Sequence, residues 1–251
     1  MKTRFLGTIA IVLMLAQHVA AQGTLVRVLV SNGMKAAMEE LKPEAEKAIG
    51  RPLSVEFSST AGLKKRIEAG EAFDATLITT EAVGDLIKQG KLTSASRVEL
   101  VRSQLGIGIR AGVAKPDIKT PDGLKKALRE AKSITYPQDG ASRGYIEQMF
   151  EKLGIAAEVK PKIILAPGSI AATESVAAGK ATFVITLFSE ILPIHGTEIL
   201  GPLPGQFQSD VKFAGGVSAT AKNADAGKAL IAFMAGSKAA PILKAKGLEP
   251  R

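Results

Sequence analysis

Four short stretches carry the residues best suited to chemistry: Ser31-Asn32-Gly33, Ser58-Ser59-Thr60, Ala141-Ser142-Arg143 and Pro167-Gly168-Ser169. Each stands where an apolar, strand-like run gives way to a helical pattern. A helix start leaves backbone N–H groups without partners and carries the positive end of the macrodipole. A small hydroxyl beside it adds a donor without filling the space. That combination suits an anion. Any one junction is better explained as a merely capped helix, because Ser and Thr are ordinary N-caps; the set of four is what points to a site. Arg143 is the unusual member, a cation placed in the first turn of a helix whose end is already positive. Its guanidinium offers a planar fork matched to a carboxylate. The competing reading is a surface arginine paired with Asp139 or Glu147.

The elements that would position these junctions alternate regularly. "TLVRVLV", "LSVEF" and "DATLIT" read as strands, each followed by a helical pattern that closes at Gly50, Gly70 or Gly90. After the strand-like "QLGIGIR" the grammar restarts. Thr120 and Pro121 open a helix as N-cap and first residue, and "SITYP", "KIILAP" and "TFVIT" alternate with further helices. The fold class expected is α/β, as two doubly wound α/β lobes joined by a two-strand hinge, with the ligand cleft between them. Residues 22–106 and 216–251 are assigned to the first lobe and residues 107–215 to the second. The closing helices "ADAGKALIAFMAG" and "SKAAPILKAKG" are expected to return to the first lobe.

Residues 1–21 read as a cleavable export signal. Lys2 and Arg4 form the basic start, Phe5 to Ala16 the apolar run, and Val19-Ala20-Ala21 the small-residue cleavage site. The expected location is the periplasm. With no cysteine in the chain there is no disulfide framework and no lipid-anchoring thiol. Removal of the signal takes away two cations and leaves 31 basic against 24 acidic residues, a balance that modestly favours anionic partners. The charges are interspersed, as in "ELKPEAEK" and "ALREAK", so nucleic acid is not an expected partner.

Signatures of catalysis are weak. After the signal His195 is the sole histidine, with no second ligand near it in sequence, so neither a metal site nor a triad is expected. "GIGIRAG" holds the spacing of a dinucleotide fingerprint but lies inside a strand-like run with no helix behind it. No cofactor is implied.

"VRVLVSNGMKAAMEELKPEAEKAIG", "FSSTAGLKKRIEAGEAFDATLITTEAVGDLIKQGKL" and "SRGYIEQMFEKLGI" resemble the type II periplasmic solute-binding proteins of the molybdate-binding branch. The likeness spans nearly all of residues 25–247. It implies a bilobal receptor, monomeric and not an enzyme, that hands a small anion to an ABC permease in the inner membrane. Transferred by position, the family's first hydroxyl falls on Gly33, beside Ser31 and Asn32, and its serine pair on Ser59 and Thr60. Its backbone-amide contact falls on Ser142, Arg143 and Gly144, and its fourth contact near Ser169 and Ile170. A family tyrosine is replaced near Thr186 or Leu187. A missing hydroxyl, a missing tyrosine and an added arginine favour an organic di- or tricarboxylate over molybdate, tungstate or another oxyanion, which stands as the alternative. The candidate ligand-binding residues are therefore Ser31, Asn32, Gly33, Ser59, Thr60, Ser142, Arg143, Ser169 and Thr186, with no metal.

Overall fold

The computed structural model describes residues 25–251; the expected export signal lies outside them. In chain order the elements begin β1 (Val26–Ser31), α1 (Lys35–Ile49), β2 (Leu53–Ser58), α2 (Thr60–Glu68), β3 (Ala75–Thr79), α3 (Thr80–Lys88) and β4 (Val98–Arg110). The second run is α4 (Pro121–Glu130), β5 (Ile134–Pro137), α5 (Arg143–Lys152), α6 (Ala156–Val159), β6 (Ile163–Ala166), α7 (Ser169–Ala177), β7 (Phe183–Leu187) and α8 (Phe188–Ile191). The chain closes with β8 (Thr197–Pro202), β9 (Asp210–Val217), α9 (Ala224–Met234), α10 (Ala240–Ala245) and β10 (Glu249–Pro250).

Strands β2, β1 and β3 are parallel neighbours, and so are β6, β5 and β7. Each set is flanked by helices. On one face of the first set Val26, Val28 and Val30 meet Met38 and Leu41 of α1; on the other Leu29 and Ile78 meet Leu63, Ile67, Val83 and Leu86. The two-residue alternation of a strand thus feeds two separate cores, and each large apolar side chain so buried contributes about 1.5–3 kcal/mol. The second lobe repeats the plan, with Leu124, Leu128, Ile146 and Phe150 over one face and Ala172, Val176 and Ile191 over the other. Among the described residues no helix is long and apolar enough to cross a membrane.

Strand β4 joins the lobes. From Val98 to Gln104 it pairs with β9, and from Leu105 onward with β7 and β8, so one strand leaves the first sheet and enters the second. The return crossing runs from Leu203 to Ser209. The expected boundary between residues 215 and 216 instead falls inside β9, which pairs with β3 and the first half of β4. Gly215-Gly216 looks like a break in the sequence, but these glycines make room: a Cβ on Gly215 would lie 2.8 Å from Ile231 of α9, and one on Gly216 2.8 Å from Leu92. The same device appears in β4, where a Cβ on Gly106 would lie 2.1 Å from the Phe188 ring and one on Gly108 3.0 Å from Ile191. The glycines of "GIGIR" therefore seat α8 on the strand rather than cradle a nucleotide.

Candidate functional site

All the strand-to-helix junctions under consideration lie at the carboxyl ends of their strands, facing the gap between the lobes. Ser31 ends β1 and is buried, and Thr60, the first residue of α2, donates its hydroxyl to Ser31 Oγ at 3.1 Å. Ser59 is the N-cap of α2. Its hydroxyl accepts from Gly62 N–H at 3.1 Å and donates to Asp139 Oδ2 of the opposite lobe at 2.7 Å. From the second lobe come Asp139, Gly140 and Ala141 of the β5–α5 loop, Gly168 and Ser169 at the start of α7, and Glu190 on α8. Together with Asn32, Gly33, Leu187 and Phe213 these residues enclose a cavity of about 10 Å³, the room one water needs. No lysine, arginine or histidine lines it.

Two grooves flank the cavity and share lining residues with it. One groove, of about 280 Å³, shares Asn32, Ser169 and Glu190 with the cavity and adds Lys35, Glu39 and Ser189. The other, of about 360 Å³, shares Thr60, Asp139, Gly140 and Ala141 and adds Lys64, Asp85 and Tyr145. Each groove is an arm of the cleft with one lysine beside carboxyl groups, Glu39 and Glu190 in the first and Glu81, Asp85 and Asp139 in the second. Ser189 Oγ in the first arm is buried and has no hydrogen-bond partner.

Six candidates from sequence, Ser31, Asn32, Gly33, Ser59, Thr60 and Ser169, are brought together here. Three expected with them, Ser142, Arg143 and Thr186, do not line the cavity. Arg143 turns away: its Nε donates to Glu147 Oε1 at 2.8 Å and its Nη1 to the Gln138 carbonyl at 2.6 Å, with 38% of the side chain accessible. The helical i, i+4 spacing to Glu147 and the nearby carbonyl satisfy the guanidinium outside the cleft. Ser142 is buried behind the loop and makes no side-chain cap, because the backbone turn closed by Arg143 N–H on the Gly140 carbonyl presents residues 139–141 instead. Thr186 is fully buried and reaches the cavity only through Glu190, to whose Oε2 it donates a short hydrogen bond.

The sequence reading passed over Glu190. Its signal was there: Leu187 and Phe188 form a fifth strand-to-helix junction, and Glu190 is the acid in that helix's first turn. Burial pushes its carboxyl above the usual range, against the opposing pull of hydrogen bonds from Thr186, Ser169 and the Leu187 N–H. His195 is exposed, and among the described residues no group of His, Cys, Asp or Glu side chains is placed to hold a metal.

Gly33 is where a family serine would stand, and the structure leaves no room for one. A Cβ there would lie 2.5 Å from Phe213 Cζ and 3.3 Å from Leu187 Cδ1. Gly33→Ser is expected to destabilise by about 1–3 kcal/mol through overpacking, measured by urea unfolding. An unchanged midpoint would show that the Phe213 ring yields freely.

A family model described as "Bacterial extracellular solute-binding protein" matches residues 26–249. Among curated relatives, the aconitate isomerase of Pseudomonas sp is 29% identical over 233 residues, covering 90% of this chain and 88% of that one. The molybdate-binding protein ModA of Azotobacter vinelandii is 26% identical over 234 residues, covering 91% of each. In three dimensions the chain matches the periplasmic molybdate-binding protein of Azotobacter vinelandii with a TM-score of 0.73 at 19% identity, over 89% of this chain and 98% of that one. The substrate-binding domain of a putative molybdenum ABC transporter from Clostridium difficile matches with a TM-score of 0.70 at 19% identity, over 90% and 98%. With two α/β lobes, a strand shared between them and a family match across both, the chain belongs to the bacterial extracellular solute-binding proteins and has the type II fold seen in the molybdate-binding proteins it resembles.

Proposed function

We propose that this protein is a periplasmic receptor of an ABC importer that captures a small organic polycarboxylate in the interlobe slot, as a monomer that passes its ligand to a membrane permease. The observation that carries the ligand class is the shape of the slot. A tetrahedral oxyanion needs one closed shell of donors, whereas here a small polar chamber is flanked by two grooves that share lining residues with it, each with a lysine. The central hydroxyls and helix starts suit one carboxylate, and the arms have room for others. The relative named for aconitate, a tricarboxylate, supports the same ligand class.

Thermal shift against citrate, trans-aconitate, tricarballylate, molybdate, tungstate and sulfate tests this reading. A ligand that binds only the folded state adds about 2.7 kcal/mol at a hundredfold excess over Kd. A shift with molybdate or tungstate and none with any carboxylate would overturn it. In the arms, Lys35 sits 5.6 Å over the Phe57 ring and 3.7 Å from Glu39, and Lys64 lies 2.6 Å from Glu68. Both pairs are partly exposed and weak enough to yield to a ligand. Lys35→Ala and Lys64→Ala are each expected to weaken polycarboxylate binding about twofold to fivefold in calorimetric titration, with Arg143→Ala unchanged. Equal affinity in both lysine variants would remove the arms from the site.

A second reading is favoured by two carboxyl groups, Asp139 and Glu190, lining one cavity. Such a pair can take a proton from one carbon of a bound unsaturated acid and return one to another, the class of chemistry for which the Pseudomonas relative is named. Proton NMR of cis-aconitate incubated with the protein in D₂O separates the readings. Exchange or a new isomer supports catalysis, and an unchanged spectrum with saturable binding supports a receptor alone.

A further inference from the structure

An anion cleft floored by a carboxyl group is a chemical contradiction unless a proton resolves it. Glu190 lines both the central cavity and the adjoining groove, so its carboxyl borders the space the ligand would fill. Thr186 Oγ1 donates to its Oε2, and the Ser169 hydroxyl and Leu187 N–H also approach it, so the carboxyl is held in one orientation by neutral donors. Among the described residues no cation forms an ion pair with it. Strand β7 beneath it has no charged residue; the charge on α7, Glu174, is exposed; Glu198 on β8 pairs with Lys115. On β4, Glu99 binds Arg97, Arg102 binds Asp210 and Glu249, and Arg110 lies at the distant end against Gly179. The charged groups that share its open side are Lys35 and Glu39 across the groove and Asp139 across the cavity.

A ligand carboxylate brought into this space meets a second carboxyl at close range. Two ionised carboxylates there repel strongly in a medium of low dielectric, and one shared proton converts the repulsion into a charge-assisted hydrogen bond. We propose that Glu190 is a specificity-determining proton donor, meeting the ligand as a neutral carboxylic acid and donating a hydrogen bond to one of its carboxylates, so that capture is coupled to one proton on this side chain. Its carboxyl is already displaced upward by burial, the direction the coupling requires. An extra negative charge nearby displaces it further, so the bound complex holds the proton to higher pH than the empty cleft does. Affinity therefore declines as pH rises through the range where the empty protein loses that proton. This inference rests on the polycarboxylate reading of the same cleft.

Calorimetric titration of the full protein with citrate and with tricarballylate between pH 5 and 9 tests it, in two buffers of different ionisation enthalpy that report protons taken up on binding. The wild type should show proton uptake, and its affinity should fall toward the limit of about tenfold per pH unit set by one linked proton. Glu190→Gln keeps the shape and a permanent N–H donor, so it should bind with the steepness due to Glu190 removed, leaving only the ligand's own titration. Identical pH profiles for wild type and Glu190→Gln, with both folded by circular dichroism, would overturn the proposal. If neither carboxylate binds and molybdate does, the ligand reading fails, and the same comparison made with molybdate still decides whether Glu190 carries a linked proton.

Discussion

Phe213→Ala is expected to lower stability by about 3–5 kcal/mol, the cost of removing a buried aromatic side chain and leaving a cavity. Phe213 is fully buried on β9, where it pairs with Thr79 of β3 and Val101 of β4. Its ring tip faces Gly33 and forms one wall of the ligand cavity. The same side chain thus fills the core beneath the first junction and bounds the space above it. Urea unfolding gives the stability change directly, and ligand titration of the folded variant should show weaker binding because the cavity wall is lost. A loss below about 1 kcal/mol would mean that the neighbouring side chains close over the gap, at the extreme low end of such substitutions.

Asp74→Ala is expected to cost about 3 kcal/mol or more at neutral pH, because it strands several backbone and side-chain donors in a buried place. Asp74 is 4% exposed. Its carboxylate accepts from Arg27 N–H at 2.9 Å, Asn223 N–H at 2.8 Å and Asn223 Nδ2 at 3.1 Å, tying the start of β1 to the start of α9. Burial alone would raise its pKa, but the hydrogen bonds from Arg27, Asn223 and Lys222 outweigh it and hold the carboxyl below the usual range. A carboxyl depressed in the folded state stabilises above its unfolded pKa of about 3.9 and loses that contribution as pH falls through the lower, folded value. The gap between wild type and Asp74→Ala should therefore be full at pH 7 and narrow progressively toward pH 2. A gap independent of pH would assign the loss to packing alone.

Much of the framework was legible because the signals are local. Gly50, Gly70 and Gly90 close their helices with φ of 67°, 91° and 68°, the left-handed conformation that favours glycine. Thr120 caps its helix by accepting from Gly123 N–H, with Pro121 behind it, as its spacing predicts. Ser31, Asn32, Gly33, Ser59, Thr60 and Ser169 come together because parallel strands present their carboxyl ends on one edge. Arg143 stands outside the cavity lining because a long side chain in a first helical turn has two destinations, and the local one, Glu147 one turn on, needs no tertiary contact. Glu190 was missed for the opposite reason. In "TLFSEILPI" it looks like the exposed acid of a short helix, and nothing within that stretch indicates that the helix lies on a strand without side chains at the contact.

That contact sets a depth. Phe188 and Ile191 descend on β4 because Gly106 and Gly108 withhold the atoms that would stop them, and Glu190, next to Ile191, is lowered along with the helix. Two missing methyl groups on a strand shared by both lobes thereby act as a gauge, fixing how far from bulk water an acid on another element comes to rest. The proton affinity of the cleft is in that sense encoded by carbon atoms the protein does without.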